Sequence, residues 1–380
     1  MKPVTVADSS AALPGLDAHP HARAVLLRAL PPQGEPSHAY LFHGPAGTGK
    51  RTVARAFAAA LLTDGAHDPG RVAERIARGS HPDMTWVTPS GAAEMLVADI
   101  EEPVVAAAAR TPFESSRRVF VIEAVHAMND QAANRMLKTL EEPPAFVHLL
   151  LLSDHREDVL QTIASRCQQV RFDPLPPARI AEGLAGAEPE RAQACADLAL
   201  GDAHLAARLA SEEGGTLRGG AEELVRSALA GTTGERPWLG LLEAAREAGT
   251  AAGERSRERI AGELELLPSK ERRRFEREGS EAGRRGERRA RTQTLDLGLR
   301  LTELWLRDVL CLCEGAPELV YAVDHFSQLE HDAGALEGAG ARVREAIELV
   351  GETRLSLQVN VSEELALDAL AYRLESLLAH

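Results

Sequence analysis

The chain has 380 residues, with 43 Lys plus Arg against 57 Asp plus Glu, 44% apolar residues and only 4% aromatics. That length predicts two or three domains. A formal charge of -14 excludes a protein that works mainly by electrostatic capture of nucleic acid, which needs a basic excess to displace counterions from phosphate. Any DNA contact is expected to be local or shared with partners.

The N-terminus lacks the basic start and apolar stretch of a signal peptide, and no apolar run approaches the roughly 18 residues that span a bilayer. A cytoplasmic protein without a membrane partner is expected. The four cysteines, Cys167, Cys195, Cys311 and Cys313, are too few and scattered for a disulfide framework, and they read as packing thiols. The histidines near the start, His19, His21, His38 and His43, show no metal-ligand spacing and read as solvated or locally hydrogen-bonded.

From residue 1 to 174 apolar runs alternate with helical patterns, which predicts a parallel sheet with crossover helices. The clearest runs are Ala39-Tyr40-Leu41-Phe42, Val119-Phe120-Val121-Ile122 and Val147-His148-Leu149-Leu150-Leu151-Leu152. Each is short and nearly continuous in apolar residues, as in strands covered on both faces. The loops at the carboxyl ends of such strands bind ligands.

Gly44-Pro45-Ala46-Gly47-Thr48-Gly49-Lys50 follows the first run and precedes a helical pattern from Thr52 to Leu62. Strand, glycine-rich loop and helix in that order predict a P-loop: glycines turn backbone N–H groups inward, the helix start adds a positive dipole end, and Lys50 reaches the β and γ oxygens. The order of Gly44, Gly47 and Gly49 does not fit the dinucleotide fingerprint. The Mg²⁺-ligating Ser or Thr expected next is Arg51, and Thr52 comes one residue late, about 100° around the helix. The strand ending at Ile122 leads into Glu123-Ala124 instead of an Asp-Glu pair. Glu123 stands where a metal-binding Asp would, while Ala124 cannot take a proton, and loss of a general base costs about 10² to 10⁴ in rate. These departures predict a chain that does not hydrolyse ATP. The candidate, degenerate nucleotide site comprises Gly44, Gly47, Thr48, Gly49, Lys50, Arg51, Thr52, Glu123 and Ser153 at the end of the third run.

Asp173-Pro174-Leu175-Pro176-Pro177 excludes helix and predicts a domain boundary. The following stretch reads as a small helical subdomain over 175–213. Gly214-Gly215 and Gly219-Gly220 predict a flexible joint, and 214–380 reads as helices throughout. Between Glu254 and Thr292 runs such as Glu271-Arg272-Arg273-Arg274 and Arg288-Arg289-Ala290-Arg291 alternate with Glu258, Glu263, Glu276 and Glu287. The stretch is read as a solvated helix with i,i+4 pairs, with a phosphate-binding patch as the alternative.

Asn134-Arg135-Met136-Leu137-Lys138-Thr139-Leu140-Glu141-Glu142-Pro143-Pro144, followed by Ser165-Arg166-Cys167, resembles the AAA+ clamp-loader subunits of bacterial DNA polymerase III. The resemblance covers about residues 14 to 213 and returns weakly at Val359 to Leu367, which is similar to the family's final helix. It implies an α/β P-loop AAA+ domain over 1–174, a helical lid subdomain over 175–213 and an all-α collar over 214–380. It also implies that Arg166 reaches a neighbouring subunit's ATP site as a trans arginine finger, and that His204 stands where members carry a γ-phosphate-sensing Arg. Thr63 to Ser80 has no Cys, although His81-Pro82-Asp83 is similar to the segment after the zinc module of other members; zinc is therefore not expected and no metal ligand is assigned. Lys50-Arg51 and Glu123-Ala124 fit the family's nucleotide-defective delta prime branch, with an active tau/gamma-type ATPase as the alternative. A nucleotide-sensing adaptor is compatible with the first. No cofactor is required on this reading, with ATP or ADP bound weakly at most. The implied partners are the tau/gamma and delta subunits and, through the complex, the β sliding clamp and primer-template DNA.

Overall fold

The computed structural model describes residues 13–30, 34–89, 94–266, 269–357 and 361–379. The chain divides into two compact units, Met1–Leu175 and Pro176–His380, with the break inside the proline cluster.

The first unit is a five-stranded parallel sheet between helical layers. Its elements run α1 (Pro20–Ala29), β1 (Ala39–His43), α2 (Lys50–Thr63), α3 (Pro69–Ala77), β2 (Met84–Val87), β3 (Arg118–Ile122), α4 (Asp130–Glu141), β4 (Val147–Ser153) and β5 (Gln168–Arg171). The strand order is β2-β3-β4-β1-β5. Phe42 lies beside Leu152 of β4 and Val170 of β5, and Ile122 lies beside Leu151. Successive side chains alternate between two cores. Leu41, Phe120, Ile122, Leu149 and Leu151 face α4, whereas Tyr40, Phe42, Val119, Val121, Leu150 and Leu152 join α1 and α2 through Leu26, Val53 and Phe57. Burying one such side chain stabilises by about 1.5–3 kcal/mol, so near-continuous apolar strands hold both layers.

Three strands are the expected runs, each extended by one residue. β2 and β5 carry no such signature because they are the sheet edges: β2 is only part-buried, and β5 is Gln168-Gln169-Val170-Arg171, buried at Val170 alone. The segment after α2 is filled by α3, whose Asp68 cap accepts from the Arg71 amide at 3.0 Å. Asp83 of the His81-Pro82-Asp83 run accepts backbone N–H bonds from Phe113, Glu114 and Ser115. That carboxylate closes a turn.

The second unit is helical in its described residues: α5 (Pro177–Gly183), α6 (Pro189–Leu198), α7 (Ala203–Ala210), α8 (Glu212–Ala230), α9 (Leu239–Leu266), α10 (Ser269–Cys313), α11 (Phe326–Ala335), α12 (Gly340–Leu357) and α13 (Glu363–Leu378). Cys195, Leu198 and Leu209 of α6 and α7 belong to the same apolar cluster as Leu217, Leu224, Trp238, Leu299, Leu306, Val350 and Leu374. The predicted glycine joint does not form. All four glycines lie inside α8, where a Cβ on Gly214 would stand 2.1 Å from the Arg208 carbonyl and one on Gly220 would stand 2.9 Å from Leu241. Those two glycines serve close approach between helices. Arg218 of α8 forks onto Asp324, at 2.9 Å through Nη1 and 2.5 Å through Nη2, with both side chains largely buried. Val359 and Asn360 of the expected final-helix motif lie outside the described residues; Glu363 onward forms α13.

Candidate nucleotide site and the exposed arginine

The parallel register brings the carboxyl ends of β1, β4 and β3 side by side, and the chemistry-bearing residues follow those ends directly. Gly44, Gly47 and Gly49 have φ of 144°, 68° and 86°, the region that costs L side chains most. At Gly44 the need is also steric, because a Cβ there would stand 1.9 Å from the Phe172 carbonyl oxygen. His19 fixes the loop from below: its buried Nε2–H donates to the Thr48 carbonyl at 2.7 Å, and burial lowers its pKa, which keeps the ring neutral. Gly49 caps α2 without a side-chain acceptor, and the helix has no acid in its first turn. Its leading amides suit an anion.

Lys50 is 6% exposed and folded back onto its own loop. Its Nζ donates to the carbonyls of Gly44 and Pro45, each at 2.5 Å, and stands 2.8 Å from Asp154 Oδ1. Thr48 is buried, with its hydroxyl donating to the Pro45 carbonyl at 2.9 Å. Thr52 is exposed on α2, turned outward as the helical period requires. Arg51 crosses instead to Glu123, and the two form an ion pair. The other Glu123 oxygen accepts from Trp86 Nε1 at 2.6 Å, and Arg55, one turn along α2, lies 4.8 Å above the Trp86 ring. Both oxygens of the carboxylate that would hold a metal are engaged by protein donors. Ala124 follows in a left-handed conformation, φ 50° and ψ 45°.

Ser153 is buried at the end of β4. Its hydroxyl donates to the His155 carbonyl at 2.8 Å and lies 3.2 Å from His126 Nδ1. His204 is exposed in the first turn of α7, which belongs to the second unit. Asp154 and Trp86 are not among the expected residues. Asp154 has a signal in its position, since it directly follows β4 and β4 neighbours β1; Trp86 has none until β2 is placed.

Arg166 follows the short helix Gln161–Ala164. Its Nε and Nη2 donate to Glu141 Oε1 at 3.0 and 2.5 Å, and Nη1 donates to the Thr162 carbonyl at 2.8 Å. The two segments that carry the family resemblance are thereby joined in space: Glu141 ends α4 and Arg166 precedes β5. The side chain stays 35% exposed, and a solvated pair of this kind is worth roughly 0–1 kcal/mol. Cys167 beside it is buried, which pushes its thiol up to about 12. Among the described residues, the one cluster with metal-ligand spacing is His155, Glu157 and Asp158, all exposed, and no helix is long and apolar enough to cross a membrane.

Residues 20–176 match a family model described as DNA polymerase III, delta subunit. The delta prime subunit of Pseudomonas aeruginosa is 39% identical over 160 residues, 40% of this chain and 48% of that protein. The delta prime subunit of Bacillus subtilis is 35% identical over 154 residues, 39% and 46% of the two chains. The tau subunit of Bacillus subtilis is 37% identical over 145 residues, 36% of this chain and 24% of that protein. The matches thus span about half the length of the delta prime relatives, and the family model falls on the unit that carries the P-loop and Arg166. Residues 20–176 are therefore similar to DNA polymerase III clamp-loader subunits, with delta prime subunits among the relatives matched.

Proposed function

We propose that this chain is a non-hydrolysing, delta prime-type subunit of a DNA polymerase III clamp loader, acting in the cytoplasm beside tau/gamma and delta to place a β sliding clamp on primer-template DNA. The observation that carries the first part is the ion pair between Arg51 and Glu123. Arg51 stands at the position whose Ser or Thr hydroxyl ligates Mg²⁺ in a P-loop ATPase, its partner Glu123 stands where the metal-binding Asp would, and the next position, Ala124, has no proton acceptor. Neither metal activation of the γ-phosphate nor general-base activation of water is supplied.

The site can still bind an anion at the start of α2, so ATP or ADP is at most a weak, structural ligand. On this reading the catalytic contribution is made elsewhere. Arg166 is part-exposed and held by a solvated carboxylate and one backbone carbonyl. Transferred to a neighbour's γ-phosphate, it would act as an arginine finger, a contribution of about 10³ to 10⁵ in rate where such a finger operates.

The test is steady-state ATP hydrolysis by the purified chain with Mg²⁺, with and without primed DNA, against Lys50→Ala. Equal rates support the proposal. Turnover that depends on Lys50 makes the chain a tau/gamma-type ATPase with an unusual metal site. Reconstitution with tau/gamma and delta then tests the export of chemistry, since Arg166→Ala must lower the ATPase rate of the complex.

A further inference from the structure

The second unit carries a feature that the clamp-loader assignment does not use. α9 and α10 continue beyond the apolar core as an antiparallel two-helix arm over 246–266 and 269–291. Its seam is built from small residues: a Cβ on Gly249 would stand 3.2 Å from the Glu287 carbonyl, one on Gly253 3.1 Å from the Glu287 carboxylate, one on Gly283 3.2 Å from Ser256 Oγ and one on Gly279 2.8 Å from Ile260. The helices run close along their length, and α10, at 45 residues, is about 67 Å long. The arm is a stiff lever.

The arm also reverses the charge of the chain. It holds 14 Lys plus Arg against 10 Asp plus Glu, in a protein whose net charge is -14. Positions 279, 283 and 287 face α9, so Arg277, Arg285 and Arg288 point away from it, while Arg284 stands at the flank, beside the groove between the two helices. All four are exposed, and among the described residues none forms an ion pair with a carboxylate. Among the described residues, i,i+4 pairing does not neutralise them, and Glu281 is an acid on that face. Arg284 and Arg288 are one turn apart, about 6 Å along the helix axis, a span that lets the two reach neighbouring phosphates.

We propose that this face of α10, through Arg284, Arg285 and Arg288 with Arg277 beyond them, binds the phosphate backbone of a nucleic acid duplex without reading its sequence. Composition selects that ligand. The arm has one aromatic residue, Phe275, so it offers no stacking platform for single-stranded bases. The outward face alternates Arg and Glu with Gly and Ser and lacks the apolar stripe by which a basic helix lies on a lipid surface. Guanidinium forks on a rigid helix suit phosphate oxygens. The arm's charge and geometry are independent of whether the P-loop hydrolyses ATP.

The test uses the full chain and a labelled DNA duplex of arbitrary sequence, with affinity followed from roughly 50 to 200 mM salt. Arg284→Ala/Arg285→Ala/Arg288→Ala is expected to weaken binding by about tenfold or more and to make the slope of log affinity against log salt shallower by nearly 3. The matching triple Lys variant keeps the charge, and it retains the slope. Circular dichroism of both variants establishes that the helices persist. Equal affinity and slope in wild type and Ala variant overturn the proposal. So does the absence of duplex binding by the wild type, or tighter binding to anionic phospholipid vesicles than to the duplex.

Discussion

The Arg51 guanidinium is paired with the Glu123 carboxylate beside the P-loop, so the carboxylate expected to hold a metal faces a side-chain cation. The pair is half in solvent, with Arg51 68% exposed against 10% for Glu123, and contributes little to folding. Its consequence is for ligand binding. ATP or ADP affinity of the wild type is expected to be the same with Mg²⁺ or with excess chelator. Arg51→Thr frees Glu123 and supplies a hydroxyl, and a Mg²⁺ dependence of several-fold should then emerge. Equilibrium dialysis of labelled nucleotide with both proteins measures it; a Mg²⁺-dependent wild type would mean that Arg51 swings out when nucleotide enters.

Ala124 adopts φ 50° with a Cβ, a conformation that costs an L residue about 1–2 kcal/mol relative to glycine. Ala124→Gly removes that strain but loosens the unfolded chain by about 0.4–1 kcal/mol, leaving a small net stabilisation. Ala124→Val adds a β-branch to the strained position and is expected to destabilise, so the two variants should differ by about 2 kcal/mol. Urea unfolding midpoints decide it. If Gly and Val have equal midpoints, the left-handed turn after β3 is not held in solution.

Arg166 and Glu141 make a second separable pair. Glu141→Gln weakens the bond that parks the guanidinium in its own unit. It is expected to change the unfolding free energy by under about 1 kcal/mol and to leave the ATPase rate of the reconstituted complex at or above the wild-type level. Arg166→Ala, equally mild for folding, is expected to lower that rate, and Arg166→Lys should not restore it, because a point charge does not reproduce the fork. Equal loss in Glu141→Gln and Arg166→Ala would assign the pair a purely structural role.

Much of this arrangement is legible in the sequence. β1, β3 and β4 are the central strands and are apolar on both faces, so periodicity and length identify them; β2 and β5 are edges, β2 only four residues long and part-buried and β5 mostly polar, so neither stands out. The glycines of the P-loop are recognised because three positive φ values are needed at fixed spacing. Gly214 and Gly220 mislead for the opposite reason: a glycine demanded by a close neighbour on another helix has the same letter as one that frees a hinge. Arg51 and Glu123 are flagged individually as departures from the expected pattern, but their union depends on β3 lying next to β4 and β4 next to β1. Asp154 escapes notice because its role is to neutralise Lys50, a task any carboxylate at that strand end could perform.

His148 supplies the clearest pH dependence. It is 3% exposed on β4, its Nδ1–H donates to the Ser37 carbonyl at 3.0 Å, and its ring stacks on His38 with centroids 5.7 Å apart. Burial lowers its pKa from 6.5 to about 4. The unfolded chain therefore binds a proton between those values that the folded chain does not. The stability that this site contributes is full above pH 6.5, falls as the pH drops toward 4, and has lost about 2 kcal/mol by pH 5. His19, His43, His81 and His126 are also shifted down, with burial the largest cause in each, and act in the same direction. His148→Gln keeps a donor for the Ser37 carbonyl and cannot titrate. Its unfolding free energy, measured by urea at pH 7 and pH 5, should fall less on acidification than that of the wild type by about 2 kcal/mol. An unchanged difference between the two pH values would show that His148 is protonated in the fold and that the β4 layer admits water at that position.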